Sequence, residues 1–188
     1  HTHGLPVEFP PRALQQAERA TPVALDGRDD LRALPLVTID GADARDFDDA
    51  VFAAPDEDPK NGDGWRIVVA IADVAWYVRH GDPLDKAAQD RGNSAYFPDR
   101  VVPMLPEKLS NNLCSLRPGE DRACLAVDMR IDAQGQLLGH TFQRGLMRSA
   151  ARLTYEQVQS AHDGQPDDKT GPLLKTIIEP LYGAFAAL

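Results

Sequence analysis

Cysteine is nearly absent from this sequence. Cys114 and Cys124 are the only two, and no CxxC spacing joins them. That excludes a thiolate zinc site and a disulfide framework, and both are read as reduced, small apolar residues of a cytoplasmic protein. No apolar run approaches the ~20 residues that a membrane-crossing helix needs, so no membrane partner is expected. Histidine is sparse and scattered: His1, His3, His80, His140 and His162 share no spacing and receive no role. Neither an initiator methionine nor a basic-then-apolar leader precedes His1-Thr2-His3, so the chain reads as an excised piece. At the other end, Ala184 to Leu188 stops inside a helix-like apolar pattern without a cap. Basic residues are outnumbered, 20 Lys and Arg against 29 Asp and Glu, giving a net charge of −9. On composition alone this argues against a nucleic-acid surface, which needs cations to meet phosphates.

What is present in concentration is aspartate. Asp40, Asp43, Asp46, Asp48 and Asp49 are five aspartates in ten positions, between apolar flanks at Leu34 to Val37 and Ala50 to Ala53. Carboxylates gathered in one pocket repel, raise each other's pKa values and cost stability unless a cation neutralises them. Hard oxygen ligands select Mg²⁺, Mn²⁺ or Ca²⁺ over zinc. The first expectation is therefore a magnesium site, with manganese as a substitute, used for phosphate chemistry. Such a cation would also offset much of the acidic excess. In an extended segment Asp46 and Asp48 share a face and Asp49 points away. Asp40 joins them only if Gly41 and Ala42 permit a tight turn. An EF-hand does not fit, because no register of the loop places acids at positions 1, 3 and 5, Gly at 6 and Glu at 12. A solvated acidic loop is the plain alternative, and the strand-like flanks disfavour it.

The 188 residues, 43% hydrophobic and 26% charged, suffice for one good-sized domain. The pattern predicts an α+β fold, a mixed or antiparallel sheet with packed helices. Residues 1–30 read as a lead-in with a short helix after Pro10-Pro11, and 31–188 as the domain proper. Strands are expected over 34–40 and 50–53, with a polar turn over 55–64. The apolar run Trp65 to Val78 reads as one central buried strand. A helix is expected over 83–91 with Gly92 as its stop. Strands over 124–131 and 138–147 flank a turn at Asp132-Ala133-Gln134-Gly135. Thr154-Tyr155-Glu156-Gln157 is a capping box opening a helix to about His162. Residues 163–171 read as a loop, and the rest as helical with a bend at Pro180.

Two further runs invite a functional reading. Tyr96-Phe97, in Asn93-Ser94-Ala95-Tyr96-Phe97-Pro98, is able to stack on bases, although on composition adjacent aromatics are more often core. Ser110-Asn111-Asn112, inside the apolar frame of Leu109 to Leu116, can contact backbone or substrate, or simply cap.

Taken in order, several runs together resemble the RNB catalytic domain of the ribonuclease II and ribonuclease R family. They are Leu36-Val37-Thr38-Ile39-Asp40, Asp46-Phe47-Asp48-Asp49-Ala50, Val69-Ala70-Ile71-Ala72-Asp73-Val74, Tyr96-Phe97-Pro98, Val102-Pro103-Met104-Leu105-Pro106 and Leu109 to Leu116. The acidic loop is closer to the bacterial ribonuclease R branch, and the likeness runs from about residue 4 to 188. The resemblance implies a processive, hydrolytic 3′-to-5′ exoribonuclease that uses Mg²⁺ and releases nucleoside 5′-monophosphates. It implies that Asp40, Asp46, Asp48 and Asp49 are the four catalytic, metal-binding aspartates, with Asp43 a loop residue, and that Tyr96 stacks on the 3′-terminal base. It further implies a single-stranded RNA 3′ end as partner, together with other parts of the same polypeptide: OB-fold RNA-binding domains and the rest of the catalytic domain. Residues 31–188 would then be the N-terminal part of that domain, without its catalytic arginine and inactive alone. The competing expectations are a non-catalytic RNA-binding or scaffold module of the same fold, which loss of an aspartate would mark, and a calcium-binding structural module, which the loop spacing disfavours.

Overall fold

The computed structural model describes residues 6–188; His1 and His3, read as a terminus without a role, lie outside them. The elements are α1 (Pro11–Arg19), β1 (Asp29–Asp30), β2 (Val37–Asp40), β3 (Asp49–Pro55), β4 (Trp65–Ala72), α2 (Val74–Tyr77), α3 (Pro83–Arg91), β5 (Ala95–Tyr96), β6 (Val101–Val102), β7 (Asp121–Ile131), β8 (Leu137–Arg148), β9 (Ala151–Thr154), α4 (Tyr155–His162) and α5 (Glu179–Ala187). Seven strands form one mixed sheet in the order β1-β8-β7-β4-β3-β2-β9, and β5 pairs with β6 apart from it. The two outer pairings, β1 with β8 and β2 with β9, are parallel; the rest are antiparallel. The α+β reading with a mixed sheet therefore holds.

Alternation along the strands gives the sheet two apolar faces. On one, Leu36, Ala50, Val68, Ala70, Cys124, Ala126 and Met147 meet Ala13 and Ala17 of α1, Leu84 and Ala87 of α3, and Leu105 to Leu116. On the other, Val37, Ala151 and Leu153 meet Val158 and Ala161 of α4 and the π-helical turn Leu174–Ile178. Each fully buried Val or Leu contributes about 1.5–3 kcal/mol, so the sheet is held from both sides. Gln16 clips α1 to α3, accepting from Leu84 N (3.1 Å) and donating to Tyr77 O (3.2 Å). At α5, Gly183 permits close approach: a Cβ there would lie 2.3 Å from the Trp65 ring.

Local signals fix the boundaries. Gly92, at φ +78°, stops α3. Thr154 and Gln157 form the capping box of α4. The β7–β8 hairpin turns on Asp132, whose Oδ1 accepts from Gln134 N (2.9 Å) and Gln136 N (2.8 Å). One element is corrected. The run Trp65 to Val78 is not one strand: β4 ends at Ala72 and the chain turns into α2. The cause is Asp73, a buried carboxylate paired with Arg28 Nη2 at 2.7 Å. A buried charge has to meet its partner, and the chain bends there to allow it. Both cysteines are free and buried, and burial pushes Cys114 up to about 12 and Cys124 to about 11, so both remain thiols. No described helix is long and apolar enough to cross a membrane.

Candidate active site

The acidic loop joins two neighbouring strands at one end of the sheet. β2 delivers Asp40, and a turn closes at once, with Ala44 N donating to Gly41 O (3.1 Å). This is the tight turn that Gly41-Ala42 had to permit. The chain then runs without regular secondary structure to Asp48 and enters β3 at Asp49. Its position is fixed at Phe47 and Asp48. Phe47 N donates to Ser115 Oγ (3.1 Å), Phe47 O accepts from Leu116 N (2.6 Å), and Asp48 O accepts from Ala72 N (2.8 Å). Asp40 and Asp46 are half-buried; Asp48 and Asp49 are exposed. Asp49 falls on the other side of its strand, lining a recess of about 530 Å³ with Ile39, Val51 and Tyr155.

The charges interact as the spacing implies. The Asp40 carboxyl is pushed up to about 6, first by burial, then by Asp49 and Asp48, against the opposing pull of Arg152. Asp49 is raised as well, by desolvation and then by Asp48. Among the described residues, the buried Asp40 Oδ2 finds no hydrogen-bond partner. Hard oxygen donors, mutual repulsion and an orphaned carboxylate oxygen all fit a divalent cation. Among the described residues, however, no three carboxylate, imidazole or thiolate groups converge in ligating geometry. The loop's own carboxylates therefore do not close a ligand shell by themselves.

Tyr96 comes to the same place from β5. Its hydroxyl lies 3.4 Å from Asp46 Oδ2, and its pKa is raised by burial and by Asp46. Neither aromatic of the pair is core: Tyr96 is 66% exposed and Phe97 40%. Both line a cleft of about 390 Å³ with Asp43, Arg45, Asp46, Arg100 and Asn111. Asn112, by contrast, is structural. Its side chain accepts from the buried Arg122, which also donates to the main-chain oxygens of Asn112 and Ser115. Arg122 therefore holds the π-helical turn Leu109–Leu113 that presents Ser115 to the loop.

Three of these supporting residues carry no signal in the sequence that marks their role. Ser115 lay within a noted run, and Arg122 is an ordinary strand arginine by pattern. Arg152 gave no local signal, since it reaches the loop only because β9 pairs in parallel with β2, more than a hundred residues earlier.

The RNB domain profile matches residues 28–188. The chain is similar to ribonuclease R of Escherichia coli (strain K12), with 48% identity over 193 residues, covering 100% of this chain and 23% of the relative. It is similar to ribonuclease R of Vibrio cholerae at 52% identity over 170 residues, covering 88% and 20%. Its fold is similar to Mycoplasma genitalium RNase R in complex with ribose-methylated single-stranded RNA, with a TM-score of 0.85 and 30% identity, covering 97% of this chain and 28% of that one. The chain thus spans about a quarter of the length of these proteins.

Proposed function

The chain belongs to the RNB-domain family, and from that premise we propose that it carries the metal-binding part of the active site of a hydrolytic 3′-to-5′ exoribonuclease of the cytoplasm. Its substrate is the 3′ end of single-stranded RNA, and its products are nucleoside 5′-monophosphates. The observation that carries this reading is the acidic loop itself, in which Asp40 and Asp49 have raised pKa values and Asp46 lies 3.4 Å from the hydroxyl of an exposed tyrosine.

Asp40, Asp46, Asp48 and Asp49 would hold Mg²⁺, or Mn²⁺ in its place. Bound there, the cation supplies a water of lowered pKa and neutralises charge on the phosphate. The chain's own residues do the rest. Ser115 and Leu116 fix Phe47, so that Asp46 and Asp48 stand at set positions on either side of it. The exposed Tyr96 ring would stack on the terminal base and so bring the last phosphodiester toward Asp46. Other parts of the full-length polypeptide, proposed to include OB-fold RNA-binding domains and the remainder of the catalytic domain with its arginine, would supply the charge clamp and the wall opposite Tyr96. The 188-residue chain alone is then inactive or nearly so, because phosphodiester hydrolysis needs positioning and charge stabilisation in addition to metal.

The test is degradation of a 3′-labelled single-stranded RNA by the full-length protein, with Mg²⁺ and with chelator, beside Asp48→Asn and the 188-residue chain. Mononucleotide release by the full-length protein in Mg²⁺ alone, lost in the variant and the short chain, is expected. Chelator-insensitive or variant-insensitive release overturns the reading.

A further inference from the structure

Beneath the acidic loop lies a polar cluster whose parts are not satisfied by one another. Thr38 Oγ1, Asp40 Oδ2 and Arg152 Nε are buried and find no hydrogen-bond partner among the described residues. Thr38 and Asp40 are two apart on β2 and share a face, and Arg152 is the register partner of Thr38 on β9. The cluster therefore gathers one donor, one acceptor and one hydroxyl able to act as either. Protein interiors rarely leave three such atoms together, so the group is held there by something beyond packing.

The rest of the Arg152 side chain shows what that is. Nη2 donates to both Gly41 O (3.0 Å) and Ala42 O (3.1 Å), the two carbonyls of the turn that follows Asp40. The guanidinium lies 5.1 Å from the centroid of the Phe47 ring, the residue that Ser115 and Leu116 pin from above. One side chain thus touches the start of the loop and lies over the ring at its middle. A planar guanidinium does both; a point-charge ammonium reaches only one carbonyl and does not stack as a plane.

We propose that Arg152 is the positioning residue of the acidic loop: its guanidinium clamps the Gly41–Ala42 turn and lies against the Phe47 ring, and so holds the loop in place before any cation arrives. The inference rests on the acidic loop being the working part of the site, but its test needs neither metal nor RNA, so its failure is separable from failure of the exoribonuclease reading.

The test is amide hydrogen exchange on the 188-residue chain in chelator, comparing wild type, Arg152→Met and Arg152→Lys. The probes are the N–H groups of Ala44 and Phe47, both bonded within or onto the loop, with Val69 of β4 and Val127 of β7 as sheet controls. In Arg152→Met the loop amides should exchange faster by about tenfold or more, the loss expected for one hydrogen bond from a charged donor. The sheet amides should stay near wild type. Arg152→Lys, which can still donate to one of the two carbonyls, should restore part of the protection; if the Met variant does not fold, Lys against wild type carries the same loop-versus-sheet comparison. Unchanged loop exchange overturns the proposal. So does an equal rise in loop and sheet, which marks a merely structural residue.

Discussion

Asp40→Asn should make the metal-free chain more stable at neutral pH and leave it unchanged in acid. The folded-state pKa of Asp40, about 6, lies above its ordinary value of 3.8. Below pH 3.8 the carboxyl is protonated in both folded and unfolded chains and contributes nothing. As pH rises toward 6 the unfolded chain ionises first, and folding must oppose that ionisation. Above 6 the penalty is complete. A shift of this size corresponds to at most about 3 kcal/mol. Asp40 is only half-buried, so screening by solvent reduces that to about 1–2 kcal/mol. Asparagine never ionises, keeps nearly the same shape, and removes the repulsion from Asp48 and Asp49. For a chain of this size the gain raises Tm by roughly 2–8 °C. The assay is thermal unfolding of both proteins in chelator between pH 4 and 8. The difference should be near zero at pH 4, open between pH 4 and 6, and be flat above 6.5. A variant that melts lower than wild type at pH 8, or by the same margin at every pH, would refute the reasoning. Such a gain in stability from a residue proposed to hold metal is the usual sign that function rather than folding retains it.

Other perturbations separate the loop from its supports. Arg122→Met leaves the main-chain oxygens of Asn112 and Ser115 without their donor; it should cost about 3 kcal/mol or more and lower Tm by roughly 6–12 °C in a calorimetric scan. Ser115→Ala removes the acceptor of Phe47 N–H and should cost about 1–2 kcal/mol, read as a smaller Tm loss together with faster exchange at Phe47. Tyr96→Ala should leave Tm within about 1 °C of wild type, since the side chain is mostly exposed. In the full-length protein it should weaken binding of a short single-stranded RNA by roughly 5- to 150-fold, the worth of one stacked base, as measured by fluorescence anisotropy.

Much of this architecture was legible because local rules set it. Gly92 stops α3 by its backbone conformation, the Thr154–Gln157 box starts α4, and Asp132 closes the β7–β8 turn. The acidic loop was legible for the opposite reason: five aspartates between apolar flanks violate the pattern of an ordinary loop. What the sequence hid was non-local. The break after Ala72 depends on Arg28, 45 residues away, reaching a buried Asp73. The place of Arg152 under the loop depends on the parallel pairing of β9 with β2, and parallel neighbours leave no turn signal between them. The exposure of Tyr96 and Phe97 depends on their standing on a separate two-stranded ribbon rather than in the main sheet. Composition, which favoured core, does not carry that information.

Whether the acidic loop takes a divalent cation is measured most directly by a Mn²⁺ titration of the 188-residue chain followed by electron paramagnetic resonance, with and without a nucleoside 5′-monophosphate. A ligand shell that the loop's own carboxylates do not close predicts weak binding by the chain alone, tighter binding when the nucleotide's phosphate oxygens complete it, and loss of both in Asp48→Asn. Free Mn²⁺ signal undiminished at millimolar protein with nucleotide present, or equal binding by wild type and Asp48→Asn, would contradict it.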